Sequence, residues 1–217
     1  MASLRHRVGH AVLLMLVACS VGADAKLSPV EARIVADLRF DAELMTKVKD
    51  AGTALDRLVM EDGTGTPLNH AGLVLLTRPG ESREALTAVR AMLEKTAYGA
   101  WINDDGFGRG PDKIAIMKTH DQFVYLGVAH TDGINWDLTH EDVVARYRVW
   151  VGKLGLELRG AGLDWLSARI TKPPADWMAL AREVYAFCPD IVDQGTGTVE
   201  KLADEMRITN ELFLWWD

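Results

Sequence analysis

Two cysteines in 217 residues, Cys19 and Cys188, are too few for the disulfide framework of a small secreted scaffold. Positive charge is short as well. With 24 Lys+Arg against 31 Asp+Glu the net charge is −7, so no nucleic-acid partner is expected, because affinity for a phosphate backbone rests on Lys/Arg neutralisation. The apolar run at residues 11–18 (AVLLMLVA) falls well below the roughly 20 residues a membrane-crossing helix requires. No stretch rich in Pro, Ser or Gly divides the chain into separate domains. What remains, 48% hydrophobic and 25% charged, is the composition of a folded protein built as one compact unit or two tightly packed lobes.

The N-terminus carries the clearest address. Arg5 and Arg7 form a positive region ahead of the short apolar run, the pattern of a signal peptide over residues 1–18. Two exits compete. Leu16-Val17-Ala18-Cys19 has lipobox spacing, which would make Cys19 the lipidated first residue, while Ala23-Asp24-Ala25 offers ordinary cleavage after Ala25. Cleavage before Cys19 leaves 22 positive against 31 negative groups, a net −9, so membrane attachment is expected through acyl chains alone. Ser20 rather than Asp after the cysteine resembles lipoproteins sorted to the outer membrane. The expected location is the periplasmic face of the envelope, the alternative a soluble periplasmic or secreted protein.

The remaining chain reads as alternating short elements. Ser28-Pro29-Val30-Glu31 combines an N-cap, a first-turn Pro and a capping-box Glu, and opens a helix; residues 40–71 show no sustained period, so 26–71 stands as a helical or irregular segment. From residue 72 the periods predict a strand at 73–77, a helix at 81–95, a strand at 98–102, a loop at 104–112 and a strand at 113–117. This β-α-β-β run suits an α+β fold, a small, mainly antiparallel or mixed sheet with helices on one face. A second α/β lobe follows, with helices opened by Thr139 and Thr198, a helix from Trp177 and a C-terminal strand at 212–216. Cys188 closes the apolar stripe of the Trp177 helix just before Pro189. A helix C-terminus raises a thiol pKa, so Cys188 reads as buried and structural rather than catalytic.

The run EVYAFCPDIVDQGTGTV at residues 183–199 and the closing Leu214-Trp215-Trp216-Asp217 resemble a bacterial family known as domain of unknown function 4253. Gly133-Ile134-Asn135-Trp136-Asp137 and Gly160-Ala161-Gly162-Leu163-Asp164-Trp165 resemble its internal signatures, although the family more often carries Tyr where Trp136 stands. The resemblance spans about residues 72–217. It implies no settled activity, cofactor or catalytic set.

Three constellations bear on function. Gln194-Gly195-Thr196-Gly197-Thr198 precedes a helix and is either an anion-holding turn or a glycine-shaped cap; it lacks the Lys-Ser/Thr ending of a P-loop. His120, Asp121, His130, Asp132, Asp137, His140, Glu141 and Asp142 mix imidazole with carboxylate but match no compact metal template, and no metal or cofactor is assigned. Of seven tryptophans six lie beyond residue 135, as core fillers or as the lining of a groove. The candidate ligand-binding set is therefore Asp164, Trp165, Asp190, Gln194, Gly195, Thr196, Gly197, Trp216 and Asp217.

Two function classes follow. An exported, lipid-anchored binding or immunity-type protein would use its acidic surface to steer a partner with a basic surface. The alternative is a small envelope hydrolase with Asp164, Asp190 or His120 as general acid or base. No nucleophile–base–orienter set is visible, so the enzyme reading ranks second.

Overall fold

A computed structural model describes residues 26–61, 66–106 and 108–217. Cys19 and both cleavage sites lie outside the described residues. Seven strands form one sheet in the order β1-β2-β4-β3-β5-β6-β7. They are β1 (Ala54–Glu61), β2 (Pro67–Leu76), β3 (Gly99–Asp104), β4 (Lys113–Met117), β5 (Glu157–Ala161), β6 (Trp165–Arg169) and β7 (Glu211–Trp215). Neighbours are antiparallel except β3 and β5, which run parallel and meet at Ile102 and Gly160. The fold is α+β with a mixed sheet. The two predicted lobes are thus halves of one sheet joined at that parallel seam.

The central strands explain the layering. In β2, β3 and β4, Leu73, Leu75, Ile102, Ile114 and Ile116 face one core, while Val74, Trp101 and Ala115 face another. Strands apolar on both faces must be covered twice. Helices α1 (Pro29–Asp37), α2 (Ala42–Lys49) and α3 (Ser82–Leu93) cover the first face; α4 (Gln122–Ala129), α5 (His140–Leu154), α6 (Trp177–Phe187) and α7 (Val199–Thr209) cover the second. This corrects the one-faced arrangement expected from the β-α-β-β run. No helix among the described residues is long and apolar enough to cross a membrane.

Local signals set the helix ends. Thr139 caps α5 with Asp142 returning the bond, and Gly155 closes it in the left-handed region at φ 59°. Ser28 and Glu31 form the capping box of α1. Glu31 does more: its buried carboxylate also accepts from Leu55 N–H at 2.9 Å and pairs with Lys49 at 2.6 Å, tying α1 to β1 and α2. Burial opposes its ionisation, yet these donors together hold the carboxyl down at about 2.

Two segments differ from the sequence reading. Residues 40–71 hold α2, β1 and most of β2, and their period is broken by a bulge between Arg57 and Val59. Residues 122–129, to which the sequence reading assigns no element, form α4, whose first turn is capped by the Asp121 carboxylate accepting from Phe123 N–H at 2.9 Å. The C-terminal strand β7 spans Glu211–Trp215, one residue off the predicted 212–216 at each end. It is an edge strand, paired to β6 alone, but both its faces pack against core residues.

Candidate functional site

The polar residues of the C-terminal run converge on Asp190, only 4% exposed after the end of α6. Its Oδ2 accepts from Trp136 Nε1 at 2.7 Å and from the Asp217 N–H at 3.1 Å, and its Oδ1 accepts from Gln194 Nε2 at 3.0 Å. Burial works against the charged form, but the three donors outweigh it and hold the carboxyl below its usual range. One side chain thereby ties together the 3₁₀ turn Ile134–Trp136, the π-turn Ile191–Thr196 and the chain end. Cys188 adds a second tie, its thiol donating to the Trp215 carbonyl at 3.1 Å. Burial pushes that thiol up to about 11, and the nearby Asp190 acts in the same direction. A protonated, buried sulfur is no nucleophile at neutral pH.

The Gly/Thr run is absorbed by the same structure. Gly197, at φ 79°, closes the π-turn, and Thr198 caps α7 by accepting from Lys201 N–H at 3.2 Å. The Thr196 hydroxyl donates to the Thr198 carbonyl at 3.1 Å. Trp216 is 2% exposed, wedged edge-on against Phe187 and laid over Gly133, where any Cβ would stand 2.9 Å from the indole. Of the candidate set, Asp190, Gln194 and Trp216 thus serve the fold.

Asp164 and Asp217 reach the surface beside this knot. The Trp216 N–H donates to the Asp164 carbonyl at 2.9 Å, and the Asp132 N–H donates to the Leu163 carbonyl at 2.8 Å, which draws three acidic residues together. Desolvation raises the Asp164 carboxyl above its usual value, and the charges of Asp217 and Asp132 add to the shift. Around them Ile134 is 69% exposed, Trp136 44% and Leu163 38%. Apolar side chains grouped so openly among carboxylates make an acidic, apolar-centred patch. The bond to Asp190 pins the Trp136 indole in place.

A second feature lies on the α3 side of the sheet, where Trp165 belongs to the other core. Trp165, Ser167 and Phe213 floor a cleft of about 320 Å³, with Arg83 and Arg90 of α3 on one wall, Glu157 and Arg159 of β5 on another, and Arg169 at the end of β6. Gly160 makes room here, since a Cβ would stand 2.7 Å from the Trp165 ring.

Residues 113–217 match the family model described as Domain of unknown function (DUF4253). The chain carries a DUF4253 domain. Neither a curated protein nor a solved structure matches the chain. The match begins at β4, whereas the motif resemblance was drawn from residue 72. In the sheet β4 and β5 are not neighbours: β3, from outside the matched span, lies between them. The DUF4253 segment therefore completes its sheet with strands supplied by residues 54–104.

The histidine and carboxylate residues of 120–142 are dispersed over separate tasks. His120 Nε2 meets the Thr96 carbonyl at 2.7 Å, His140 Nδ1 meets the Thr131 carbonyl at 3.0 Å, and Asp121 and Asp142 cap helices. Among the described residues no group of three or more His, Cys, Asp or Glu could hold a metal. His120 lines a groove with Tyr98, Gln122 and Tyr125 that neither Asp164 nor Asp190 shares. Of the acid–base residues in the hydrolase reading, His120 thus lies apart, while Asp164 and Asp190 both sit at the chain end. The sequence reading missed Ile134 and Leu163 of the patch and all four cleft arginines. Only Trp165 of the cleft stood in the candidate set.

Proposed function

We propose that this protein is a binding module of the cell envelope, tethered through an acylated Cys19, which holds a protein partner with a basic surface at the patch formed by Ile134, Trp136 and Leu163 with Asp132, Asp164 and Asp217. One observation carries the reading: large apolar side chains stand 38–69% exposed beside clustered carboxylates, while Asp190 and Cys188 are committed to the fold. An apolar centre with a charged rim is the usual anatomy of a recognition surface. Carboxylates at the rim would speed encounter with a cationic partner, and that effect falls with salt.

Two experiments test this. Replacing Cys19 with Ala in the full chain is expected to abolish incorporation of a clickable fatty acid, and unchanged incorporation contradicts the tether. For the patch, a photo-crosslinking amino acid at position 134 of the cell-expressed protein is expected to capture a discrete partner at low salt. Capture should fall at high salt and in the Asp132→Asn/Asp164→Asn variant. Crosslinks indifferent to both changes overturn the patch.

A further inference from the structure

The arginine-lined cleft lies on the α3 side of the sheet and takes Trp165 of the 160–165 signature into its floor. Four guanidinium groups line it (Arg83, Arg90, Arg159 and Arg169) against three carboxylates, Asp105 and Glu157 of the lining and Glu211 beside it, in a chain whose net charge is −7. The surplus is local and oriented. Arg90 donates from Nε to the Ala100 carbonyl at 2.9 Å and from Nη2 to the Leu158 carbonyl at 2.6 Å, so backbone on both sides of the β3–β5 seam fixes its plane. Its Nη1 has no acceptor, and the residue no ion pair, among the described residues. Burial depresses its guanidinium from the ordinary value, the condition in which an incoming anion gains most. Arginine nevertheless stays charged at any physiological pH.

The other arginines are placed with the same economy. Glu211 Oε2 holds Arg83 at 2.6 Å and Arg159 at 3.5 Å, one carboxylate positioning two cations without neutralising both. Arg169 is exposed and makes no ion pair among the described residues. Beneath them the floor is apolar and aromatic, with Trp165, Phe213, Ile102 and Leu86, except for Ser167. That serine is 4% exposed. Phe213 and Trp215 of β7 are half-buried on this face. A volume of about 320 Å³ is at the lower end of the roughly 300–1,000 Å³ typical of small-ligand sites.

We propose that this cleft binds a small organic anion, a carboxylate or phosphate head carried on an apolar or aromatic body. The head lies among Arg90, Arg159 and Arg169, where forked N–H groups match the geometry of an oxyanion. The body lies on Trp165 and Phe213, and the Ser167 hydroxyl donates to an oxygen of the head.

Calorimetric titration of the full-length protein tests this with three probes at constant ionic strength: phenyl phosphate, phenylacetate and benzylamine. At least one of the two anions is expected to bind saturably at millimolar or lower concentration, and the stronger identifies the head group, while benzylamine does not bind. Arg159→Gln/Arg169→Gln, checked for an unchanged melting profile, is expected to weaken the binding about tenfold or more. Arg33→Gln on α1 should leave it unaltered. Failure of both anions to bind the folded protein overturns the proposal. So does binding that the double variant leaves unchanged, or inorganic phosphate binding as tightly as phenyl phosphate, which would remove any role for the aromatic floor.

Discussion

Removal of residues 212–217 is expected to leave insoluble or molten protein without a cooperative melt. Leu212, Leu214 and Trp216 are 0–2% exposed and face the core under α5, α6 and α7. Each such side chain is worth about 1.5–3 kcal/mol of burial, so three approach the roughly 5–15 kcal/mol that holds a whole domain. The deletion also strips the β6 ladder from Trp165 through Ala168 and the Cys188 thiol of its acceptor. Circular dichroism through a thermal scan checks the outcome. A truncated protein that still melts cooperatively within a few degrees of the parent would mean that β7 is a peripheral strand.

A single substitution should come close to the same effect. Asp190→Ala leaves three donors without their acceptor, at Trp136, Gln194 and Asp217. Each lost bond to a charged group costs on the order of 1–3 kcal/mol, and since they share one acceptor the sum is not additive; about 3 kcal/mol or more is expected by denaturant titration. The pH dependence has a fixed sign. The folded protein holds this carboxyl below its usual value, so its contribution is complete above the unfolded pKa of about 3.9 and is lost as pH falls through the folded value. Wild type should therefore lose stability on acidification below about pH 4 more steeply than Asp190→Ala. Parallel acid limbs would contradict that assignment.

The legible parts of this fold were those whose cause is local. Ser28, Thr139, Thr198 and Gly155 mark helix ends because a cap is a contact within four residues. Cys188 was readable as buried from its stripe and the proline behind it. The unread parts depend on distance. The bulge at Arg57/Val59 breaks the alternation that would have shown β1, and α4 (QFVYLGVA) is too uniformly apolar to show a period. Trp165 and Trp216 face different cores although the Trp216 N–H bonds the residue next to Trp165. No spacing rule links Trp136 to an acceptor at Asp190, or Arg83 and Arg90 to Arg159 and Arg169. The arginines meet because β3 and β5 pair in parallel at the seam. The candidate site residues were found as a motif, and most of them hold the motif together.

That last statement is the central claim, and a double-mutant cycle between Trp136→Phe and Asp190→Asn tests it most directly. Phe keeps the ring and removes the indole N–H; Asn keeps the shape and removes the charge. If the DUF4253 signature is a structural tie, the unfolding free energies of the four proteins should show a coupling of about 1–2 kcal/mol. Two losses that add to within about 0.3 kcal/mol would contradict it, and would return Asp190 to the pool of residues free to act on a ligand.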